Sequence, residues 1–382
     1  MNVVFLSPHF PPNFWLFARA LHEQGARVLG VGDVPVEQVG AELQPFLADY
    51  VQAPLSDREQ SLRALGLLVH RHGRLGRIES LNEHWLSLEA ALREDFNVPG
   101  PRPAQVALWQ DKLAMYRMFR DADVPTPETE AVVSAAQLQA FAARVGYPLV
   151  CKPAVGVGAA GVFSLRSAEE VHARLATIPE RAVVQPFVDG RIVTFDGVVD
   201  RAGQVVFSFS LEYSHGVMEV IRDGLDISFW THREVSPSLA QLGTAVLKAL
   251  GLKERWFHLE LFRLAGGRYM LLEANLRPPG GFIPDMMNYA TDDDVARAWA
   301  RVVVKGESPA LPEPKFHVSH VARRARAYRR SADELAALLG EKLIWRRDLP
   351  RVFSAGMGDE VFLVRTRTLA ELREATELIQ AR

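Results

Sequence analysis

Two acidic residues set opposite each other across a short hairpin are the groups in this chain best placed to do chemistry. Residues 256–265 and 268–276 are alternating apolar runs separated by Gly266 and Gly267. A two-residue primed turn needs φ > 0, and glycine adopts it without steric cost. With that turn, Ala265 pairs with Arg268, which puts Glu260 opposite Glu273, His258 opposite Asn275 and Phe262 opposite Leu271. Directly opposed side chains lie about 4.5–5.5 Å apart at Cβ, where like charges repel. A divalent cation between the carboxylates resolves the conflict. Mg²⁺ in phosphate sites is held by one or two carboxylates, with phosphate oxygens and water completing its shell. A harmlessly solvated pair is disfavoured because Phe262, Leu264, Tyr269 and Leu271 are expected on the same face.

A second cluster lies upstream. Gly156, Gly158 and Gly161 match the dinucleotide fingerprint in letters. That motif works only where the glycines open a helix whose N-terminus holds a pyrophosphate. Here Val162, Phe163, Ser164 and Leu165 follow, a strand pattern, so the glycines form a hairpin tip. Such a tip, with free N–H groups, can fold over phosphates as a lid. Lys152 sits just before it in an otherwise apolar strand, and lysine is almost never buried without a partner, so an anion is expected beside it. Lys112 on its own reads as a solvated helix residue.

These groups need a scaffold that can place them. At 382 residues, with 48% hydrophobic and 24% charged residues, the chain is an ordinary globular sequence of two or three domains. A net charge of −2 gives no case for nucleic-acid or anionic-membrane binding. Its one cysteine, Cys151, excludes an intrachain disulfide and a multi-cysteine zinc site, and its strand position points it into core. The N-terminus reads as a first strand and not as a signal peptide, and no run is long enough to span a membrane, so a cytoplasmic location is expected. No nucleophile-elbow, zinc-protease or P-loop motif occurs.

The first hundred residues alternate strand and helix, the rhythm of a doubly wound parallel sheet whose ligands lie beyond the carboxyl ends of its strands. Proline-rich stretches at 99–103 and 309–314 mark boundaries. Between them come a helix capped by Asp111, the lysine strand and its glycine hairpin, a strand at 182–188, a hairpin at 192–213, a helix at 239–250 and the carboxylate hairpin. Asp292, Asp293 and Asp294 are read as the start of a helix, complementing its dipole. His317 and His320, with Arg323, Arg324 and Arg326, read as a solvated basic edge, and Ser214, His215 and Gly216 as a turn.

In that order, the two lysines, the glycine hairpin, the strand ending Gln185-Pro-Phe187-Val188-Asp189-Gly190 and the Glu260…Glu273-Ala-Asn275 hairpin resemble the ATP-grasp superfamily. The resemblance runs from about residue 105 to 306 and rests on order and context more than on any single motif. It implies an α/β fold with an N-terminal doubly wound parallel sheet domain (1–104), ATP-grasp α+β domains (105–310) carrying a glycine-rich hairpin lid (about 125–190), and a small C-terminal α/β appendix (311–382). By the same resemblance, Lys112, Lys152, Gly156 and Gly158 meet the phosphates of ATP. Gln185, Phe187, Val188 and Asp189 meet its adenosine, and Glu260, Glu273 and Asn275 hold Mg²⁺. Arg277 then steadies the transferring phosphoryl, and substrate lies near Asn82, Glu83 and Gly280. Two positions depart from the family pattern. Gln185 stands where many members have glutamate, and Ile192 stands where many have a ribose-binding glutamate, which leaves the ribose to Asp189. The implied activity is a Mg²⁺- and ATP-dependent ligation of a small carboxylate to an amine through an acyl phosphate. A bicarbonate-using carboxylase and a nucleotide-binding module without turnover are the alternatives, and a homodimer is left open.

Overall fold

The computed structural model describes residues 1–156, 161–349 and 351–382, and among these the strands form three sheets. The first is parallel. Strands β1 (Asn2–Leu6), β2 (Arg27–Gly32), β3 (Leu47–Gln52) and β4 (Leu75–Glu79) lie in the order β3-β2-β1-β4. Val3, Val4, Phe5 and Leu6 are all fully buried, as expected of a strand covered on both faces. The carboxyl ends of β1 and β4 run into Ser7 and Leu81, non-glycine residues at φ 51° and 53°.

The second sheet carries the lysine. β5 (Glu130–Ala131), β6 (Leu149–Pro153), β7 (Phe163–Leu165) and β8 (Ala182–Pro186) are antiparallel in the order β5-β8-β6-β7. β6 pairs antiparallel with β7, so the glycine segment joins two strands and opens no helix. Gly158 lies outside the described residues.

The third sheet is the largest. It comprises β9 (Arg191–Val199), β10 (Val205–Phe209), β11 (Leu211–Tyr213), β12 (Ser228–Thr231), β13 (Arg255–Arg263), β14 (Tyr269–Asn275), β15 (His317–Arg323), β16 (Leu343–Asp348) and β17 (Glu360–Thr366). Their order is β14-β13-β9-β11-β12-β15-β17-β16, with β10 paired to β9. One face packs on the helix Pro237–Leu250, which comes so close to β9 that a Cβ on Gly243 would lie 2.2 Å from the Phe195 ring. The other face is sealed at one end by Trp256, which meets Phe17 of the helix Trp15–Glu23 edge-on at 6.0 Å. Trp299 of the helix Val295–Lys305 closes the same cluster, 5.7 Å from Phe17. Among the described residues no helix is long and apolar enough to cross a membrane.

Three expectations need correction. In the C-terminal α/β segment β15, β16 and β17 extend the central sheet. His320 and Arg323 are therefore interior, at 0% and 4% exposure, and the basic-edge reading fails for these two, while Arg326 is exposed. The aspartates at 292–294 span two helices. Asp292 ends Ile283–Thr291, and Asp294 caps the next helix by accepting from the N–H groups of Ala296 and Arg297. The carboxylate hairpin turns differently as well. Its loop is three residues, Ala265–Gly267, closed by Leu264 N–H to the Arg268 carbonyl at 2.8 Å, with both glycines near φ +79°. A bulge at Leu272 then takes up the extra residue, so Phe262 faces Met270 and Leu261 faces Leu271, while Glu260 still opposes Glu273 and His258 still opposes Asn275. Tyr269 and Leu271 are thereby on the helix-covered face, not beside the carboxylates.

Candidate functional site

Side chains alternate along a strand, so Trp256, His258, Glu260 and Phe262 share one face of β13, running from sealed core to open cleft. Trp256 is fully buried and His258 4% exposed, whereas the Glu260 side chain reaches 27%. Glu273 faces Glu260 across the hairpin, and Asn275 faces His258 one pair further in. The donor set is thus two carboxylates and an amide, all hard oxygens. Among the described residues no three His, Cys, Asp or Glu side chains are arranged to hold a metal ion. A cation here would take its remaining ligands from phosphate and water, which suits Mg²⁺.

Both lysines converge on this pair. Lys112, the first residue of the helix Lys112–Asp121 capped by Asp111, is 7% exposed. Its ammonium lies 3.2 Å from Glu273 Oε1 and donates to the Gly156 carbonyl at 2.9 Å. Lys152, at 6% exposure, donates to the Tyr116 hydroxyl at 3.0 Å and sits over that ring. Tyr116 in turn donates to the Leu272 carbonyl, at the bulge. The expected buried lysine is present, and its hydrogen-bond partner among the described residues is a phenol.

Of the residues expected beside a substrate, Asn82 and Glu83 follow the N-terminal sheet, whereas Arg277 and Gly280 follow β14. Glu83, just beyond β4, accepts from Arg277 Nε at 3.3 Å. Burial pushes its carboxyl up, Arg277 and Lys112 pull it down, Glu273 opposes them, and the balance is raised. Arg277 Nη1 also donates to the Pro278 carbonyl at 2.9 Å. Gly280 is exposed, with open space where a Cβ would be. Asn82 Oδ1 caps the following turn by accepting from the His84 N–H at 3.0 Å. A cavity of about 430 Å³ opens among Glu83, Ser87, Gln110, Lys112, Gly156 and Glu273.

Of the residues expected beside the base, Gln185 and Phe187 hydrogen-bond to neighbours at the edge of the second sheet. Gln185 Nε2 donates to Thr129 Oγ1 at 2.7 Å, which turns its carbonyl oxygen the other way. Phe187 is 49% exposed and its N–H donates to the Pro148 carbonyl at 2.9 Å. Val188 is half-buried, Asp189 is exposed, and Ile192 lies on β9 opposite Phe262.

Two groups were missed from sequence. Asp196 on β9 is completely buried and binds His258 Nδ1 through Oδ1 at 2.5 Å. His258 Nε2 then meets Glu260 Oε1 at 3.2 Å. Burial disfavours the imidazolium, but Asp196 and Glu260 outweigh it and lift the ring to about 9. Burial likewise raises the Glu260 carboxyl, yet His258, Arg277 and Lys152 hold it below its ordinary value. Tyr213 on β11 is the second. Burial, Glu260 and Asp196 all push its hydroxyl upward. The period-2 pattern of β9 and β13 was visible, but which strands are neighbours was not.

A buried ion network holds the N-terminal sheet to the hairpin. Glu89, 1% exposed, ion-pairs with Arg93 at 2.9 Å and accepts hydrogen bonds from Arg255 at 2.8 Å and from Ser80 N–H at 2.8 Å. Arg255 Nε donates to the Leu276 carbonyl at 2.7 Å, immediately before Arg277.

Residues 109–255 match the model of the ATP-grasp domain. The chain also superposes along 99% of its length on 96% of the L-amino acid ligase from Bacillus licheniformis, with TM-score 0.76 at 15% identity, a likeness of fold. Residues 109–255 are therefore a domain of the ATP-grasp superfamily. Among curated relatives, a D-alanine–D-alanine ligase from Marinobacter nauticus is 24% identical over 64% of this chain and 72% of its own. The uncharacterized protein y4rH of Sinorhizobium fredii is 34% identical over 137 residues, which cover 33% of this chain and only 28% of that protein.

Proposed function

We propose that this ATP-grasp protein is an ATP- and Mg²⁺-dependent ligase that joins a small carboxylate to an amine. The observation that supports it best is the convergence of both buried lysines and Arg277 on the opposed pair Glu260 and Glu273. Mg²⁺ held by Glu260, Glu273 and Asn275 would neutralise phosphate oxygens of ATP. Lys112 and Lys152 contribute fixed positive charge on the lid side, and the hairpin that starts at Gly156 covers the phosphates and excludes water. The carboxylate oxygen of the acceptor attacks the γ-phosphorus in line, ADP leaves, and an acyl phosphate forms. The amine nitrogen then attacks the acyl carbon, phosphate departs, and the amine gives up a proton. No protein nucleophile is required, since positioning and charge stabilisation carry phosphoryl transfer. Arg277 meets the charge on the transferring phosphoryl and is itself oriented by Glu83. The cavity beside Glu83, Ser87 and Gln110 is the place for the second substrate.

The test is ADP release by the whole protein with ATP and Mg²⁺. Release that depends on pooled amino acids supports the ligase. Release that depends on bicarbonate instead makes it a carboxylase, and tight nucleotide binding without release makes it a binding module.

A further inference from the structure

The ligase reading gives Asp196, Thr194 and His258 nothing to do, yet they are costly to bury. Asp196 and Thr194 are both at 0% exposure and His258 is at 4%. An ionised carboxylate removed from water costs several kcal/mol unless it is well bonded, and an apolar pair of similar volume would fill the same place at least as stably. Both Asp196 oxygens are in use: Oδ1 takes His258 Nδ1–H, and Oδ2 takes the Thr194 hydroxyl, whose oxygen accepts the Leu211 N–H at 3.1 Å. The strand register builds this arrangement directly. His258 pairs with Asp196 and Glu260 pairs with Thr194 across β13 and β9, so all four side chains stand on one face.

The chain of bonds has a direction. It starts at an anchored, fully buried carboxylate, passes through the imidazole and ends at Glu260 Oε1, where the cleft begins. We propose that His258 is a positioning residue for the metal site: held by Asp196, it donates to Oε1 of Glu260 and so presents the other oxygen, Oε2, to the bound cation. The inference rests on the assignment of Glu260 as a metal ligand under the ligase reading. Partners of this kind, which orient a ligating group without touching the metal, typically change metal affinity or activity by 10–100-fold when removed. A group whose only task was to fill the sheet would show no preference for a donor at that point.

The experiment measures Mn²⁺ binding, as a Mg²⁺ surrogate, to the full chain with a non-hydrolysable ATP analogue by electron paramagnetic resonance. Circular dichroism checks the fold of each variant. His258→Phe keeps a ring of similar shape and loses both donors, and is expected to weaken Mn²⁺ binding about 10-fold or more. His258→Gln retains an amide donor and should recover most of that loss, and Asp196→Asn should fall with His258→Phe. Glu260→Gln is the reference for the ligand itself. Weakening in Glu260→Gln with none in His258→Phe overturns the inference and leaves the ligase reading standing, whereas no weakening in either variant defeats both. If His258→Phe does not fold, the comparison passes to the other two. A Gln variant that binds Mn²⁺ no better than Asp196→Asn overturns the inference.

Discussion

Replacing Glu89 by glutamine tests whether the buried ion network, and not only apolar packing, seats the N-terminal sheet against the carboxylate hairpin. Glu89, at 1% exposure, ion-pairs with Arg93 and accepts from Arg255 and Ser80, and the two arginines are themselves at 1% and 3%. Burial alone would raise its carboxyl, but Arg255 and Arg93 overcome that and draw it from 4.5 down to about 2. A depression of that size corresponds to about 3 kcal/mol of stability. Because the folded value lies below the unfolded one, this contribution is complete above the unfolded value near 4.5 and is lost as pH falls through about 2. At neutral pH Glu89→Gln leaves two buried guanidinium groups short of their shared counter-charge, which costs roughly 3–5 kcal/mol when one member of a buried pair is removed. Thermal melting of parent and variant at pH 7 should therefore show a drop of several degrees. The gap should narrow below pH 4, because the parent loses its advantage there and glutamine does not titrate. Arg255 also holds the Leu276 carbonyl, so the variant should lose ADP release beyond what its lower stability explains. A variant that melts with the parent at pH 7, or a gap that stays constant down to pH 3, would refute the reasoning.

Other outcomes follow from the same geometry. Lys152→Ala should weaken ATP-analogue binding about 10-fold or more while the fold survives, since its hydrogen bond is to the Tyr116 hydroxyl and no carboxylate is left bare; unchanged binding in a titration defeats its phosphate role. Glu273→Gln should nearly abolish ADP release. Because Lys112 already sits 3.2 Å from Glu273, its ligand-free melting should stay within about 1 kcal/mol of the parent, and the stabilisation by Mg²⁺ plus nucleotide should vanish. NAD(P)H and flavins should show no saturable micromolar binding, since the glycine segment joins β6 to β7; such binding without ATP binding would overturn the lid assignment. The Cys151 thiol, fully buried and pushed up to about 11, should resist a disulfide reagent at pH 8 in the native protein and react once per chain in denaturant.

What could be read in advance was what depends on local period and on charge in an apolar setting. Glu260 against Glu273, Lys152 in its buried strand and the strand after Gly161 all follow from alternation and turn chemistry. The predicted two-residue loop was wrong by one residue and the unforeseen bulge at Leu272 was wrong by one in the opposite sense, so the acid register survived although Phe262 and Leu271 did not pair. A bulge leaves no composition signal in a run such as Tyr269 to Asn275. Asp196 was invisible for a different reason. Its strand looks like any half-buried hairpin arm until β9 is known to lie beside β13. The basic residues near 320 misled because five charged or titratable groups in a short stretch resemble a surface, whereas the sheet continues past them and the Arg323 guanidinium is held by the Ile379 and Arg330 carbonyls.

The continuous central sheet sets a timing problem for synthesis. Thr231 of β12 hydrogen-bonds Val318 of β15, 87 residues later in the chain. At roughly 5–20 residues per second, the outer edge of β12 waits on the order of 4–17 s for its neighbour to be made. During that interval the acid-bearing strands β9 and β13 can already pair, but the half-built sheet presents an open edge of the kind that recruits foreign strands. The nascent chain is then most vulnerable to aggregation after its acid-bearing strands are complete and before β15 arrives. Slower decoding between residues 232 and 316 should lower soluble yield without altering the specific activity of the protein that escapes.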